Sequence, residues 1–177
     1  QEGIVQIERF IKELLNFTRV SELRLERFSA KQILEEAVKM MRNSLEEKKI
    51  VLERDYAKGL PLVRVDGDRM RQVFLNILCN AVEAVEVGGK IGLALGLVRD
   101  DGARAIKIQI SDDGCGIPEK DWENIFEPLF TTKPSGFGLG LANARKIVEQ
   151  HRGSIRVIKK REKGASFEVR IPCEGET

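Results

Sequence analysis

The chain has 177 residues, 42% of them apolar and 33% charged, enough to bury a core unaided as one domain or one domain plus an extra element. A formal net charge of +2 is too small to argue for nucleic acid or a membrane surface, and no apolar run reaches transmembrane length. Cys79, Cys115 and Cys173 are far apart and lack CxxC spacing, which fits a reducing compartment better than a disulfide framework or a zinc site. The chain opens on Gln1 with no signal peptide, so it reads as a cytoplasmic fragment of a longer protein, with any membrane anchor in segments outside it.

Residues 1 to about 20 carry Ile4, Ile7, Ile11 and Leu14 at alternating three and four spacing, the apolar stripe of a helix in a hairpin or bundle. A charged connector, 21–28, separates this helix from a domain expected over 29–177. Ser29 is placed to cap a helix running to about Lys48, with Ile33, Leu34, Ala37, Val38, Met41 and Leu45 on one face. Strands are predicted at 50–54 and 62–65, then a helix capped by Asp66, buried through Met70, Val73, Phe74, Ile77 and Leu78, and ended by Gly88 and Gly89. Further strands fall at about 90–98 and 104–111 around an Asp100-Asp101-Gly102 turn. Another helix starts near Gly140, and the chain closes on strands at 154–160 and 165–171 around Glu162-Lys163-Gly164. Several strands and three long helices that do not strictly alternate argue for an α+β fold with helices on one face of a mixed sheet.

Three stretches call for chemistry. Ile106, Ile108 and Ile110 alternate up to Asp112-Asp113-Gly114-Cys115-Gly116, so a strand delivers a carboxylate onto a glycine turn where a flat ligand could lie. Gly136-Phe137-Gly138-Leu139-Gly140-Leu141 opens a helix, and free N–H groups at a helix start suit phosphate. Asn76 and Asn80 stack four apart in an otherwise apolar helix, against helix propensity, and an asparagine carbonyl can ligate Mg²⁺. Either glycine cluster alone is equally well read as a tight turn, and either asparagine as an exposed side chain. The three together point to a nucleotide.

These motifs resemble the four boxes of the ATP-binding part of two-component sensor histidine kinases, in the superfamily shared with gyrase and heat-shock chaperone ATPases. Asn76-Ile-Leu-Cys-Asn80-Ala81 resembles the N box, Asp112 to Gly116 the first glycine box, Ile125-Phe126-Glu-Pro-Leu-Phe130 the F box, and Gly136 to Leu141 the second glycine box. Residues 1–20 resemble the second helix of the dimerisation hairpin. The resemblance implies a two-layer α/β sandwich of Bergerat type, with ATP under a lid spanning roughly 119–138. It implies that Asp112 binds the adenine amino group and that Asn80 ligates Mg²⁺, with Asn76 beside the phosphates. Gly114, Gly116, Gly136, Gly138, Gly140 and Leu141 would form the backbone cradle, Phe126 and Phe130 the base of the lid, and Thr132 and Lys133 its phosphate-facing tip. It also implies a response regulator receiver domain as partner and a homodimer through the N-terminal hairpin.

Two departures stand out. Glu83 occupies a position where many relatives carry a basic residue, which leaves Lys133 or Arg71 to supply that charge. The phosphoaccepting histidine of the family is missing, because the single histidine, His151, sits at a helix-to-strand junction and reads as structural or surface. Rival classes are a hydrolysing ATPase, a protein serine kinase and an inactive nucleotide-binding module. Asn76 discriminates among them, since water- or serine-activating relatives carry glutamate there as general base and an amide cannot take that proton.

Overall fold

In the computed structural model of the chain, the described residues are 11, 14, 15, 22–100, 103–133, 136–159 and 163–173. The expected N-terminal helix therefore lies mostly outside them, as do Asp101, Gly102 and Glu162 of the two expected turns; Ile11, Leu14 and Leu15 are helical and exposed.

Strand β1 (Glu26–Phe28) pairs antiparallel with β3 (Val63–Val65), so part of the segment read as a connector is built into the domain. Helices α1 (Ala30–Met40) and α2 (Arg42–Glu47) replace the single helix expected to Lys48; the break falls at Met41. Strand β2 (Val51–Tyr56), helix α3 (Gly67–Ala84), strands β4 (Lys90–Asp100) and β5 (Ala103–Asp112), helix α4 (Gly140–Gln150) and strands β6 (Ser154–Val157) and β7 (Ser166–Pro172) complete the chain. Two single turns of 3₁₀ helix, Glu119–Asp121 and Asn124–Phe126, lie between β5 and α4.

The main sheet runs β2-β4-β5-β7-β6, with β2 parallel to β4 and every other pair antiparallel. Period-two alternation puts Ile91, Leu93 and Leu95 of β4 on one face with Ile106, Ile108 and Ile110 of β5 and Phe167, Val169 and Ile171 of β7, all buried. That face packs against Ile33 and Leu34 of α1, Val73, Phe74 and Ile77 of α3, and Ala144, Ile147 and Val148 of α4 in one continuous core. Burying each of the larger side chains contributes about 1.5–3 kcal/mol before the entropy of ordering is subtracted. The fold is thus α+β, a mixed five-stranded sheet with four helices among the described residues.

Helix α3 carries the central motif, and both its ends are fixed by side chains. Asp66 Oδ1 accepts the Arg69 N–H at 3.1 Å, and Oδ2 accepts the Arg24 N–H of the preceding segment at 3.1 Å. The C-terminus is not ended by Gly88 and Gly89. Val85 turns extended, and the Lys48 ammonium donates to the carbonyls of Val82 at 2.7 Å and Val85 at 3.0 Å. A cation on orphan carbonyls at the negative end of the dipole does the work of a glycine cap.

His151 is buried and held on both sides. Its Nδ1–H donates to the Ile147 carbonyl at 2.7 Å, and Nε2 accepts the Asp66 N–H at 3.0 Å, linking the end of α4 to the start of α3. Of the two readings open in the sequence, structural and surface, the structure selects the first.

Candidate nucleotide site

Strand β5 ends on Asp112, which is 3% exposed. Its Oδ1 accepts the N–H of Gly114 at 2.9 Å and of Ala165 at 3.2 Å, so the carboxylate is oriented by the turn it opens and by the strand beside it. Two close approaches make this packing possible. A Cβ on Gly114 would lie 2.5 Å from the Ala84 carbonyl oxygen of α3, and one on Gly164, at φ +112°, would lie 1.8 Å from the Asp112 carbonyl oxygen. Gly116 continues the turn, its Cα position facing the Gly164 carbonyl. Asp113 ties the turn to β4, accepting the Lys90 N–H at 2.9 Å.

Across from this turn, Asn76 and Asn80 stack on α3. Asn76 Nδ2 donates to the Gly140 carbonyl at 2.8 Å, joining the middle of α3 to the first residue of α4. Asn80 Nδ2 donates back to the Asn76 carbonyl at 3.0 Å, which leaves Oδ1 pointing away from the helix backbone to accept the Lys133 ammonium at 2.9 Å. Lys133 also pairs with the Glu83 carboxylate. Leu139 caps α4 without a side-chain hydrogen bond, so the cap residue's own side chain does not compete for the N–H groups at the start of α4. A helix start of this kind, with a lysine ammonium on the same rim, favours a chain of phosphates, while the Asn80 amide oxygen suits a cation.

The segment between β5 and α4 is held at intervals. Trp122 Nε1 donates to the Ile117 carbonyl at 3.0 Å, and the buried ring of Phe126 meets Phe167 edge to face at 6.3 Å, with the Arg145 guanidinium 5.8 Å from its centroid. Phe126 therefore anchors the segment in the core, while Phe130 is half-buried and Thr132 exposed. The Leu129 N–H donates to the Gly138 carbonyl at 3.0 Å, and the Gly136 N–H to the Lys133 carbonyl at 3.4 Å, folding the tip back toward α4. Pro134 and Ser135 lie outside the described residues.

The candidate site residues thus fall on one rim of the molecule: the turn after β5, the last three turns of α3, the start of α4 and the segment between. Arg71 does not join them. Its guanidinium is committed to Glu36 of α1 at 2.6 Å and to Asp68, which leaves Lys133 as the cation beside Glu83. Gly164 and Ala165 join the candidate site although the sequence placed Gly164 only in a hairpin turn and Ala165 at the start of a strand, because a backbone N–H leaves no trace in side-chain pattern. A groove of about 640 Å³ between α1, α2 and β2, lined by Val38, Leu45, Ile50 and Leu52, touches none of these residues.

Among the described residues, displaced titrating groups include a cluster beside β2 and one on β7. Arg54 holds Glu35 below the usual carboxylate range at the edge of β2, and Tyr56 is pushed up by burial and by its hydrogen bond to Glu35. Burial alone would raise Glu168, but hydrogen bonds from Arg156 and Arg170 outweigh it and hold the carboxyl low.

Residues 65–175 match the family of histidine kinase-, DNA gyrase B- and HSP90-like ATPases. The chain belongs to this family. Within it the likeness is to sensor histidine kinases. The chain is 33% identical over 167 residues to the sensor histidine kinase ZraS of Escherichia coli (strain K12), covering 94% of this chain and 35% of that protein. Full-length ShkA in complex with AMPPNP superposes with a TM-score of 0.83 at 26% identity, over 97% of this chain and 36% of that one. Histidine kinase ThkA in complex with response regulator protein TrrA superposes with a TM-score of 0.80 at 28% identity, over 97% of this chain and 48% of that one. The chain spans about a third of the length of the curated relatives it matches.

Proposed function

We propose that this chain is the catalytic part of a sensor histidine kinase, transferring the γ-phosphoryl group of ATP to a histidine carried on a separate helix, for relay to an aspartate of a response regulator receiver domain. The observation that carries the reading is the state of His151. Both its ring nitrogens are engaged with backbone and it is 7% exposed, so the chain's single histidine has no nitrogen to offer a phosphate. The nucleophile must come from elsewhere.

In this reading Asp112 accepts the adenine amino group at the turn, and the start of α4 with Lys133 receives the phosphates. Asn80 Oδ1, which already accepts from a cation, is the protein oxygen that would hold Mg²⁺. Bound there, the metal would neutralise phosphate charge. Among the described residues no group of three or more His, Cys, Asp or Glu gathers to hold a metal alone, which suits an ion whose remaining ligands are phosphate and water. A neutral imidazole nitrogen then attacks the γ-phosphorus in line, an N–P bond forms, the bond to the β–γ bridging oxygen breaks and ADP leaves. No base is needed at residue 76, and Asn76 serves instead to hold the start of α4 against α3.

Residues 1–20 are assigned to the dimerisation hairpin, and the ATP-binding domain, expected over 29–177, takes in β1 (Glu26–Phe28) as well. Exposed apolar Ile11 and Leu14 support a helix that is covered by a second copy of the chain. We assign this part to the cytoplasm on the sensor-kinase reading; separately, among the described residues no helix is long and apolar enough to cross a membrane.

The test is labelled ATP incubated with the chain alone and with a polypeptide bearing a histidine followed by Glu or Asp on a helical hairpin. The expected product is an acid-labile, base-stable label on the added histidine and none on the chain. Label traced to His151, or rapid steady release of phosphate by the chain alone, would place it with another class.

A further inference from the structure

Asn80 and Glu83 lie three apart on α3 and so share a face, and the same ammonium, that of Lys133, touches Asn80 Oδ1 at 2.9 Å and the Glu83 carboxylate. Two oxygens of different chemistry converge on one cation. A lysine ammonium is a point charge with no geometric demand of its own, so its seat reports where oxygens are already gathered. An amide oxygen and a carboxylate are both hard donors suited to Mg²⁺, which takes one or two protein ligands beside phosphate. Without such a cation, Glu83 would stand as a bare negative charge beside incoming phosphates.

We propose that Glu83 is a second protein oxygen for the metal, directly or through a bound water, and that Lys133 holds the metal's place until Mg²⁺ and ATP displace it onto the phosphates. The assignment rests on the ATP reading above and extends it to a carboxylate on the same face of α3 as Asn80. A cation stays on the Asn80–Glu83 pair throughout: an ammonium of single charge leaves as a divalent ion enters, and the released ammonium follows the phosphates. Both side chains are partly exposed, 40% for Lys133 and 58% for Glu83, so the swap needs no unfolding.

The proposal predicts a change of sign. In calorimetric titrations with ATP, Glu83→Gln should weaken binding about tenfold in the presence of Mg²⁺, the size of loss seen when a metal site loses a supporting oxygen. In chelator the same variant should bind ATP at least as well as the native chain, because a repelling carboxylate has gone. Improvement under both conditions would mean that Glu83 only latches the segment through Lys133, and no change under either would mean that it does nothing; both overturn the assignment. A second measurement does not need nucleotide. Mn²⁺ followed by electron paramagnetic resonance should bind Lys133→Met about tenfold more tightly than the native chain, and the gain should vanish in Lys133→Met combined with Glu83→Gln. Mn²⁺ binding with no ATP binding would remove the nucleotide reading and leave the metal pair standing, whereas ATP binding with no Mn²⁺ response would do the reverse.

Discussion

The two ends of the site are built differently. At the turn after β5, Asp112 is buried, oriented by two backbone N–H groups and packed against glycines whose replacement would collide with main chain. At the far end, Asn80, Glu83 and Lys133 are half-exposed side chains satisfying one another. One end is finished without a ligand, while the other holds its parts in an arrangement that, in the proposal above, a ligand replaces. Recognition of a flat base gains from rigidity, because the entropy of positioning is spent in folding rather than in binding. Phosphates that must be admitted, held and released need charges that can change partners.

The contrast can be broken at Asp112 first, where the largest effect is expected. Asp112→Ala strips the acceptor from two N–H groups and, in the proposed binding mode, from the base, and a buried unpaired donor costs about 1–3 kcal/mol. ATP affinity should fall by about a hundredfold or more, and calorimetry showing undiminished binding would refute the rigid end. The same carboxylate should favour ATP over GTP at least about tenfold, since guanine presents an acceptor where adenine presents a donor.

Gly164→Ala tests whether the rigidity comes from the packed backbone. A left-handed φ and a clash with the Asp112 carbonyl oxygen together should cost about 2–4 kcal/mol, read as a fall in Tm with a loss of ATP binding. An unchanged Tm would show that the turn yields.

Asn76→Ala, between the two ends, removes the amide that ties α3 to Gly140. About 1 kcal/mol of stability and up to about tenfold in ATP affinity should go with it, without any gain in phosphate release. A rise in hydrolysis would mean that Asn76 guards the phosphates rather than placing a helix.

The smallest effect lies outside both ends and serves as their control. Glu168 is held below the ordinary carboxylate range by Arg156 and Arg170 although burial opposes it, so its contribution to stability is complete above the unfolded value of about 4.3 and is lost as pH falls through the lower folded value. Glu168→Gln should lower Tm modestly at neutral pH, by an amount that shrinks toward acid, with ATP affinity unchanged. A difference that grew toward acid would reverse the assignment.

Much of this protein was legible from residue order. Alternation of apolar residues placed β4, β5 and β7 within about two residues, because a half-buried strand repeats every second position. The asparagines four apart, the carboxylate on a glycine turn and the glycines opening α4 marked the candidate site, because together they are local exceptions to propensity that the structure brings to one rim. Other features have no local signal. The strand at 26–28 exists because β3 lies beside it, the helix expected to Lys48 breaks at Met41 before Lys48 turns to the end of α3, and Gly164 matters because the Asp112 carbonyl stands against it. The fate of the cations was also decided in three dimensions, for Arg71 faces α1 and Lys133 reaches Glu83 across fifty positions of chain. Charge in a sequence names what a residue can pair with, and only the packing of α1, α3 and the segment before α4 determines which partner is within reach.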